Sequence, residues 1–173
     1  DNYWYVYTVK ILVTDFGVNV LWHPSLGIEL GIDLQTMLWE CLLGQKPLDI
    51  LVFEGSVIQA PNGSGEWNRF ADRPMKDWLS DMAQVANYVA AVGDCACWGG
   101  IPAMAPNPTD STGLQFLRRK EGGFLGKEFR SKSGLPIINI PGCPAYTDIS
   151  FVLASMQAFS IFLESRLLKY CLY

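Results

Sequence analysis

Five cysteines occur among the 173 residues, and three of them lie in short segments rich in glycine or proline. Cys95 and Cys97 lie between Gly93 and Gly100 in the run GDCACWGG, and Cys143 lies in the run PGCP. Glycine lets a backbone approach a bulky inorganic group, and proline fixes the path of a loop. Thiolates in such loops are the usual ligands of iron-sulfur clusters. Cys95 and Cys143 are therefore candidate ligands of a 4Fe–4S cluster, which needs four ligands in all.

These cysteines also have a plainer interpretation, because a free cysteine most often behaves as a small buried apolar residue. Cys97 follows Cys95 by two residues, a spacing that aims poorly at one shared cluster, so it is a weaker candidate ligand. Cys41 falls on the apolar face of a predicted helix and is expected in the core. Cys171 is expected to be a free thiol. The lone histidine, His23, is expected to be a hydrogen-bonded structural residue.

The elements that must position these residues follow from apolar runs and their spacing. Short β-rich runs predict strands, and apolar residues at helical spacing predict helices, the first of them capped by Asp33. The predicted strands are residues 18–22, 48–53, 88–92 and 136–140, and the predicted helices are 33–44, 74–86 and 148 to about 169. This alternation predicts an open parallel sheet with helices on both faces, with the cysteine segments at the carboxyl ends of its strands.

Composition limits the classes of function. The chain is 50% hydrophobic and 17% charged, which predicts one globular domain over residues 1–173. The net charge of -4, without a basic cluster, excludes a nucleic-acid-binding surface. The apolar run 149–163 is too short and too polar for a membrane span. The start of the sequence shows no export signal, so the cytoplasm is the expected location, either free or peripheral on the cytoplasmic face of a membrane.

Several segments resemble the small subunit of nickel-iron hydrogenases, and most closely that of cyanobacterial-type uptake hydrogenases. The resemblance covers roughly residues 12–146. The segments that carry it are LWHPSL (21–26), LDILVFEG (48–55), AVGDCACWGGIPA (91–103), PNPT (106–109), GLQF (113–116) and INIPGCP (138–144).

The resemblance implies a flavodoxin-like fold with an electron-transfer function. It implies that the carboxyl edge of the sheet holds a proximal 4Fe–4S cluster against a hydrogenase large subunit, in a heterodimer or larger assembly. The nickel-iron centre in that partner oxidises hydrogen, and the electrons leave through this chain. On the family pattern Cys95 is the third ligand of the cluster and Cys143 the fourth. Glu54 lies in the loop that faces the large subunit, where it either relays protons or caps a turn.

The sequence departs from the family pattern in two regions. The family has a first strand that ends in a Cys-x-x-Cys-type loop, whereas residues 3–9 can form a strand but hold no cysteine, so a central strand of the sheet is expected to be lost. The family's later cluster-binding region has no counterpart after Pro144. A fragment, a decayed copy and a variant that has lost most of its relay all remain open.

Three other functions also remain open. A cluster-free docking remnant fits the missing cysteines, and a subunit like the 20 kDa subunit of NADH-quinone oxidoreductase has a related fold. The WGG and PNPT segments favour hydrogenase over the latter. A flavin binder would use glycines at the sheet edge to hold phosphate, and the paired cysteine segments argue against it. The Pro61–Gly65 loop lacks the ending of a phosphate-binding loop and is expected to cover the edge of the sheet.

Overall fold

The computed structural model describes residues 18–24 and 27–145, together with the backbone of residues 169–172. Its helices are α1 (Gly31–Leu42), α2 (Met75–Val85) and α3 (Gly93–Trp98), and a 3-10 turn spans Ile101–Ala103. Its strands are β1 (Asn19–Trp22), β2 (Ile50–Glu54), β3 (Arg69–Phe70), β4 (Arg73–Pro74), β5 (Tyr88–Val92), β6 (Phe116–Leu117), β7 (Lys120–Glu121), β8 (Ile138–Ile140) and β9 (Lys169–Leu172).

The main sheet has the strand order β1-β9-β2-β5-β8, and every neighbouring pair is parallel. Strands β2 and β5 pair from Ile50 opposite Tyr88 to Glu54 opposite Val92. Strand β8 continues the sheet, with Ile140 opposite Val92. The ends of β2, β5 and β8 therefore meet at one side of the sheet, which we call the carboxyl edge. The open parallel sheet confirms the predicted flavodoxin-like α/β class.

Helices α1 and α2 pack together on one face of this sheet. Alternate strand residues point to that face, among them Leu51 and Val89, and join one core with buried residues of both helices. Trp78 of α2 is fully buried in this core and donates its indole N–H to the carbonyl of Phe70 at 2.9 Å. On the other face Ile50 packs in a separate cluster. Among the described residues, this second cluster contains no helix residue, so helices on both faces stay a prediction.

Three local predictions were wrong. Helix α1 begins at Gly31, with Leu30 rather than Asp33 in the cap position, so that Asp33 lies in the first turn beside the positive end of the helix. The predicted loop after β5 is the short helix α3, because Ala96 and Cys97 bury their side chains in the core. Strand β8 is also shorter than predicted and begins at Ile138.

Strand β9 fills a position that was expected to be empty. In the flavodoxin strand order 2-1-3-4-5 the chain's first strand lies at the centre of the sheet. Here Lys169–Leu172 lies between β1 and β2 instead, with Cys171 opposite Leu51. The helix predicted over residues 148 to about 169 and the strand predicted over 3–9 lie outside the described residues, apart from Lys169, which begins β9. The single domain over 1–173 stays a prediction.

No helix within the described ranges is both long and apolar enough to cross a membrane.

Candidate cluster-binding site

Two hydrogen bonds join the segments that follow β5 and β8 at the carboxyl edge. The backbone N–H of Asp94 donates to the carbonyl of Gly142 at 2.8 Å. In return the backbone N–H of Gly142 donates to the Asp94 carboxylate, also at 2.8 Å. We call this pair of bonds the Asp94–Gly142 clamp. Cys95 follows Asp94 and Cys143 follows Gly142, so the clamp holds the backbones of the two cysteine segments next to each other.

Cys95 lies half-buried in α3, and its sulfur lies against Gly100. A Cβ atom on Gly100 would come within 2.5 Å of the Cys95 sulfur. Gly100 also has φ 54° and ψ -148°, a conformation open to glycine and costly for other residues. Glycine at position 100 therefore lets the backbone pass close to Cys95, where a side chain would clash with its sulfur and backbone.

Cys143 is exposed in the turn that follows β8. This turn is closed by a bridge between Gly142 and Ala145. An exposed thiol on a short turn can reach a bound group without moving the sheet. Its position suits the predicted role as a ligand, which nothing in the described residues tests directly.

Cys97 and Cys41 have the features of core residues. Cys97 is fully buried, and its thiol donates a hydrogen bond to the carbonyl of Ala91 at 3.3 Å. Burial raises the pKa of the Cys97 thiol to about 12, with the Asp94 charge adding to the rise, so the thiol stays protonated at neutral pH. Since a metal ligand must be a thiolate, this geometry favours packing over the weaker prediction of ligation. Cys41 is buried on α1, as predicted.

The described residues supply only part of a complete ligand set. Among them, no three or more His, Cys, Asp or Glu residues are grouped so as to hold a metal ion. Cys95 and Cys143 fit two of the four thiolates that a 4Fe–4S cluster takes, by chemistry and by accessibility. The backbone of Cys171 pairs with Leu51, three residues before the end of β2 at Glu54, which places it short of the carboxyl edge. A 4Fe–4S cluster held here would need further ligands besides these two cysteines.

The remaining candidate residues lie at or near the same edge. Glu54 is exposed at the end of β2, opposite Val92, and its side chain is free to meet a partner. His23 is buried after β1, and burial lowers its pKa, so it is neutral at pH 7 and suits the structural role predicted for it. The Pro61–Gly65 loop folds back on itself, with the N–H of Gly65 donating to the carbonyl of Gln59.

Two structural residues of this edge were missed by the sequence analysis, Asp94 and Arg118. The Arg118 guanidinium donates two hydrogen bonds to the carbonyl of Ala103, at 3.1 Å and 2.8 Å, and so holds the turn after α3. The aspartate before Cys95 and the paired glycines after it were visible in the sequence. Their partners are distant in sequence or set by backbone geometry, and no local pattern reveals them.

The PNPT segment forms a hydrogen-bonded turn. The Asn107 side chain accepts the N–H of Ser111 at 2.8 Å and donates to its carbonyl at 3.0 Å. The Thr109 and Ser111 hydroxyls are 2.7 Å apart, and the carbonyl of Thr109 accepts the N–H groups of Gln59 and Ala60. These bonds tie the loop after β2 to the segment after α3.

Sequence comparison finds a family model and known hydrogenase small subunits that are similar to this chain. Residues 7–155 match the model of the family described as NADH ubiquinone oxidoreductase, 20 Kd subunit. The F420 non-reducing hydrogenase II small subunit of Methanosarcina mazei is 34% identical over 149 residues, which are 79% of this chain and 38% of that protein. The hydrogenase-2 small chain of Escherichia coli is 29% identical over 137 residues, 79% of this chain and 32% of that protein.

Solved structures give the same picture. A chain of the actinobacterial-type NiFe-hydrogenase from Ralstonia eutropha H16 shares 30% identity, with a TM-score of 0.65, over 84% of this chain and 42% of that one. A chain of the Ni-Fe-Se hydrogenase from Desulfomicrobium baculatum shares 26% identity, with a TM-score of 0.68. The resemblance to nickel-iron hydrogenase small subunits is confirmed, while its narrower cyanobacterial type stays a prediction. The chain spans less than half the length of the curated relatives named above.

Proposed function

The chain belongs to the family of the 20 kDa subunit of NADH ubiquinone oxidoreductase and is similar to hydrogenase small subunits, and on that premise we propose that it is the electron-transfer small subunit of a nickel-iron hydrogenase. Its proposed task is to pass electrons from hydrogen oxidation in a large subunit through a proximal 4Fe–4S cluster. The uptake direction, towards hydrogen oxidation, is part of the proposal.

The observation that carries this proposal is the Asp94–Gly142 clamp, which brings two accessible cysteines together at the carboxyl edge. Cys95 and Cys143 would hold two corners of the cluster, and Gly100 would let the backbone pass close to Cys95. When bound, such a cluster accepts and releases single electrons. The protein's own residues would hold and orient it, with no acid-base or nucleophilic step.

The large subunit is the proposed partner, and the carboxyl edge is the proposed contact surface. Ile101, which follows Gly100, and Met104, three residues later, expose 74% and 59% of their surface. Exposed apolar side chains beside a site are typical of a surface that is buried on assembly. Glu54 lies at the same edge, where it would either carry protons from the partner or fix the turn before Gly55.

The first test is the content of iron and acid-labile sulfide, with an EPR spectrum, in the chain purified anaerobically with its large subunit. About four irons per chain are expected if the cluster assembles. The substitutions Cys143→Ser and Cys95→Ser should each remove most of this iron. Cys41→Ala, which removes a thiol from the core, is the matched control and should leave the iron in place. Unchanged iron in Cys143→Ser would exclude Cys143 as a ligand.

A cluster-free docking subunit is the second candidate, and the lack of a cysteine in residues 3–9 favours it. It predicts a stable complex with the large subunit that contains no iron in this chain. A flavin is tested on the same sample by fluorescence after denaturation. The cytoplasmic location, free or peripheral at the membrane, stays a prediction that cell fractionation checks.

A further inference from the structure

Asp94 stands immediately before one candidate ligand and bonds to the residue immediately before the other. It donates its own N–H to the Gly142 carbonyl and accepts the Gly142 N–H on its side chain, both at 2.8 Å. The second of these bonds uses the Asp94 side chain to join the segment after β5 to the segment after β8. Its loss would leave the backbone bond from Asp94 to the Gly142 carbonyl, and the hydrogen bond of Cys97 with the Ile140 backbone, between α3 and the end of β8.

The carboxylate also changes the electrostatics between the two thiols. It occupies the Gly142 N–H, which could otherwise donate a hydrogen bond to a thiolate or sulfide beside it. It also places a negative charge one residue from Cys95. Hydrogen bonds to the sulfurs raise the reduction potential of a cluster, and negative charge lowers it.

We propose that Asp94 is a positioning residue that fixes the Cys95 and Cys143 segments to each other and keeps the reduction potential of a cluster held between them low. The proposal rests on the proposed function, because it assumes a cluster at these two thiols. The positional part concerns the protein alone and can be measured without a cluster. The electrostatic part needs the loaded complex.

Two substitutions separate position from charge. Asp94→Asn keeps an oxygen that can accept the Gly142 N–H and removes the charge. Asp94→Ala removes both. Asp49→Asn is the matched control, because Asp49 is also half-buried and accepts one side-chain hydrogen bond, from Asn87 at 3.0 Å. It lies just before β2, at the opposite end of the strands, so its loss removes the same charge far from the cysteines.

Amide hydrogen exchange in the cluster-free chain tests the positional part. The Gly142 amide should exchange at least tenfold faster in Asp94→Ala than in the wild type, whereas Asp94→Asn and Asp49→Asn should keep most of the protection. The amides of Val57 and Thr112, which bond to each other's carbonyls, report whether the fold as a whole is intact. Equal exchange at Gly142 in Asp94→Ala and wild type would overturn the clamp.

An EPR-monitored redox titration of the anaerobic complex tests the electrostatic part. In Asp94→Asn the midpoint potential should move to more positive values, with an about tenfold higher ratio of reduced to oxidised cluster at a fixed potential, or about 59 mV for one electron. Iron content should stay at the wild-type level. A shift no larger than that of Asp49→Asn would overturn this part. A wild-type complex without acid-labile sulfide and without a cluster EPR signal would instead overturn the proposed function, and with it the electrostatic part, while the exchange result still decides the clamp.

Discussion

The two ends of the same strands are built differently. At the amino ends of β2 and β5, side chains and backbone bond closely to one another: Asn87 donates its amide to Asp49 at 3.0 Å and its N–H to the Leu48 carbonyl, and its own carbonyl accepts the N–H of Ser133. At the carboxyl edge, by contrast, glycines follow the strands, one clamp joins the segments, and thiols remain accessible. The amino ends of these strands are held by several hydrogen bonds, whereas the carboxyl edge keeps the Cys95 and Cys143 thiols accessible.

The largest effect on the free energy of unfolding should come from adding a side chain at Gly100, beside Cys95. Gly100→Ala places a methyl group within 2.5 Å of the Cys95 sulfur and forces alanine into a backbone conformation reserved for glycine. Overpacking and backbone strain together should lower the free energy of unfolding by about 3 kcal/mol. Urea denaturation measures this loss, and the iron content of the complex with the large subunit should fall because Cys95 is displaced.

Gly44→Ala is the matched control at the other end. Gly44 also has a positive φ, of 73°, but no atom lies within 4 Å of an added Cβ. The substitution should lower the free energy of unfolding by only about 1 kcal/mol, the cost of a left-handed alanine, and should leave the iron in place. Equal losses of unfolding free energy in the two variants would contradict the close approach of Gly100 to Cys95 in the structure.

The sequence was sufficient for the parallel sheet because each strand of the carboxyl edge is a continuous apolar run with its own end signal. Leu48 to Phe53 predicted β2 to within two residues, and Tyr88–Val92 predicted β5 without error. The candidate site was found because glycine and proline surround its cysteines. Helix α3 was missed because its apolar residues fill less than two turns, too few for a periodic pattern.

Long-range pairing could not be predicted from local patterns. The bond between Asp94 and Gly142 joins residues 48 positions apart, and nothing in either segment specifies the other. The same holds for β9, which enters the centre of the sheet from the far end of the sequence. Such contacts depend on how the whole chain packs. The sequence therefore predicted the two cysteines but not Asp94, which links their segments.

The second prediction concerns Cys97, the buried counterpart of Cys95 on the same helix. Its pKa is about 12 in the folded protein against an ordinary value of 9.0. Below pH 9 the thiol is neutral in both states. Above pH 9 the unfolded chain releases the proton while the folded protein retains it, so the free energy of unfolding should fall by about 1.4 kcal/mol for each pH unit up to pH 12.

The comparison with Cys97→Ala isolates this effect from the other groups that titrate in alkali. The difference in unfolding free energy between wild type and variant should shrink as pH rises from 9, measured by urea denaturation at several pH values. A difference that stays constant up to pH 11 would show that the Cys97 thiol ionises as readily in the folded protein as in the unfolded chain.

The smallest effect should come from the closed end of the sheet. Asn87→Ala removes the hydrogen bond to Asp49 and leaves the backbone bonds of residue 87 in place, so the free energy of unfolding should fall by about 1 kcal/mol. A double-mutant cycle with Asp49→Ala measures the coupling between the two side chains. Alkylation rates of Cys95 and Cys143 and the iron content of the complex should stay at wild-type values. If Asn87→Ala changed the alkylation of either cysteine, the two ends of the sheet would be mechanically coupled, and a division between a stabilising end and a binding end would fail.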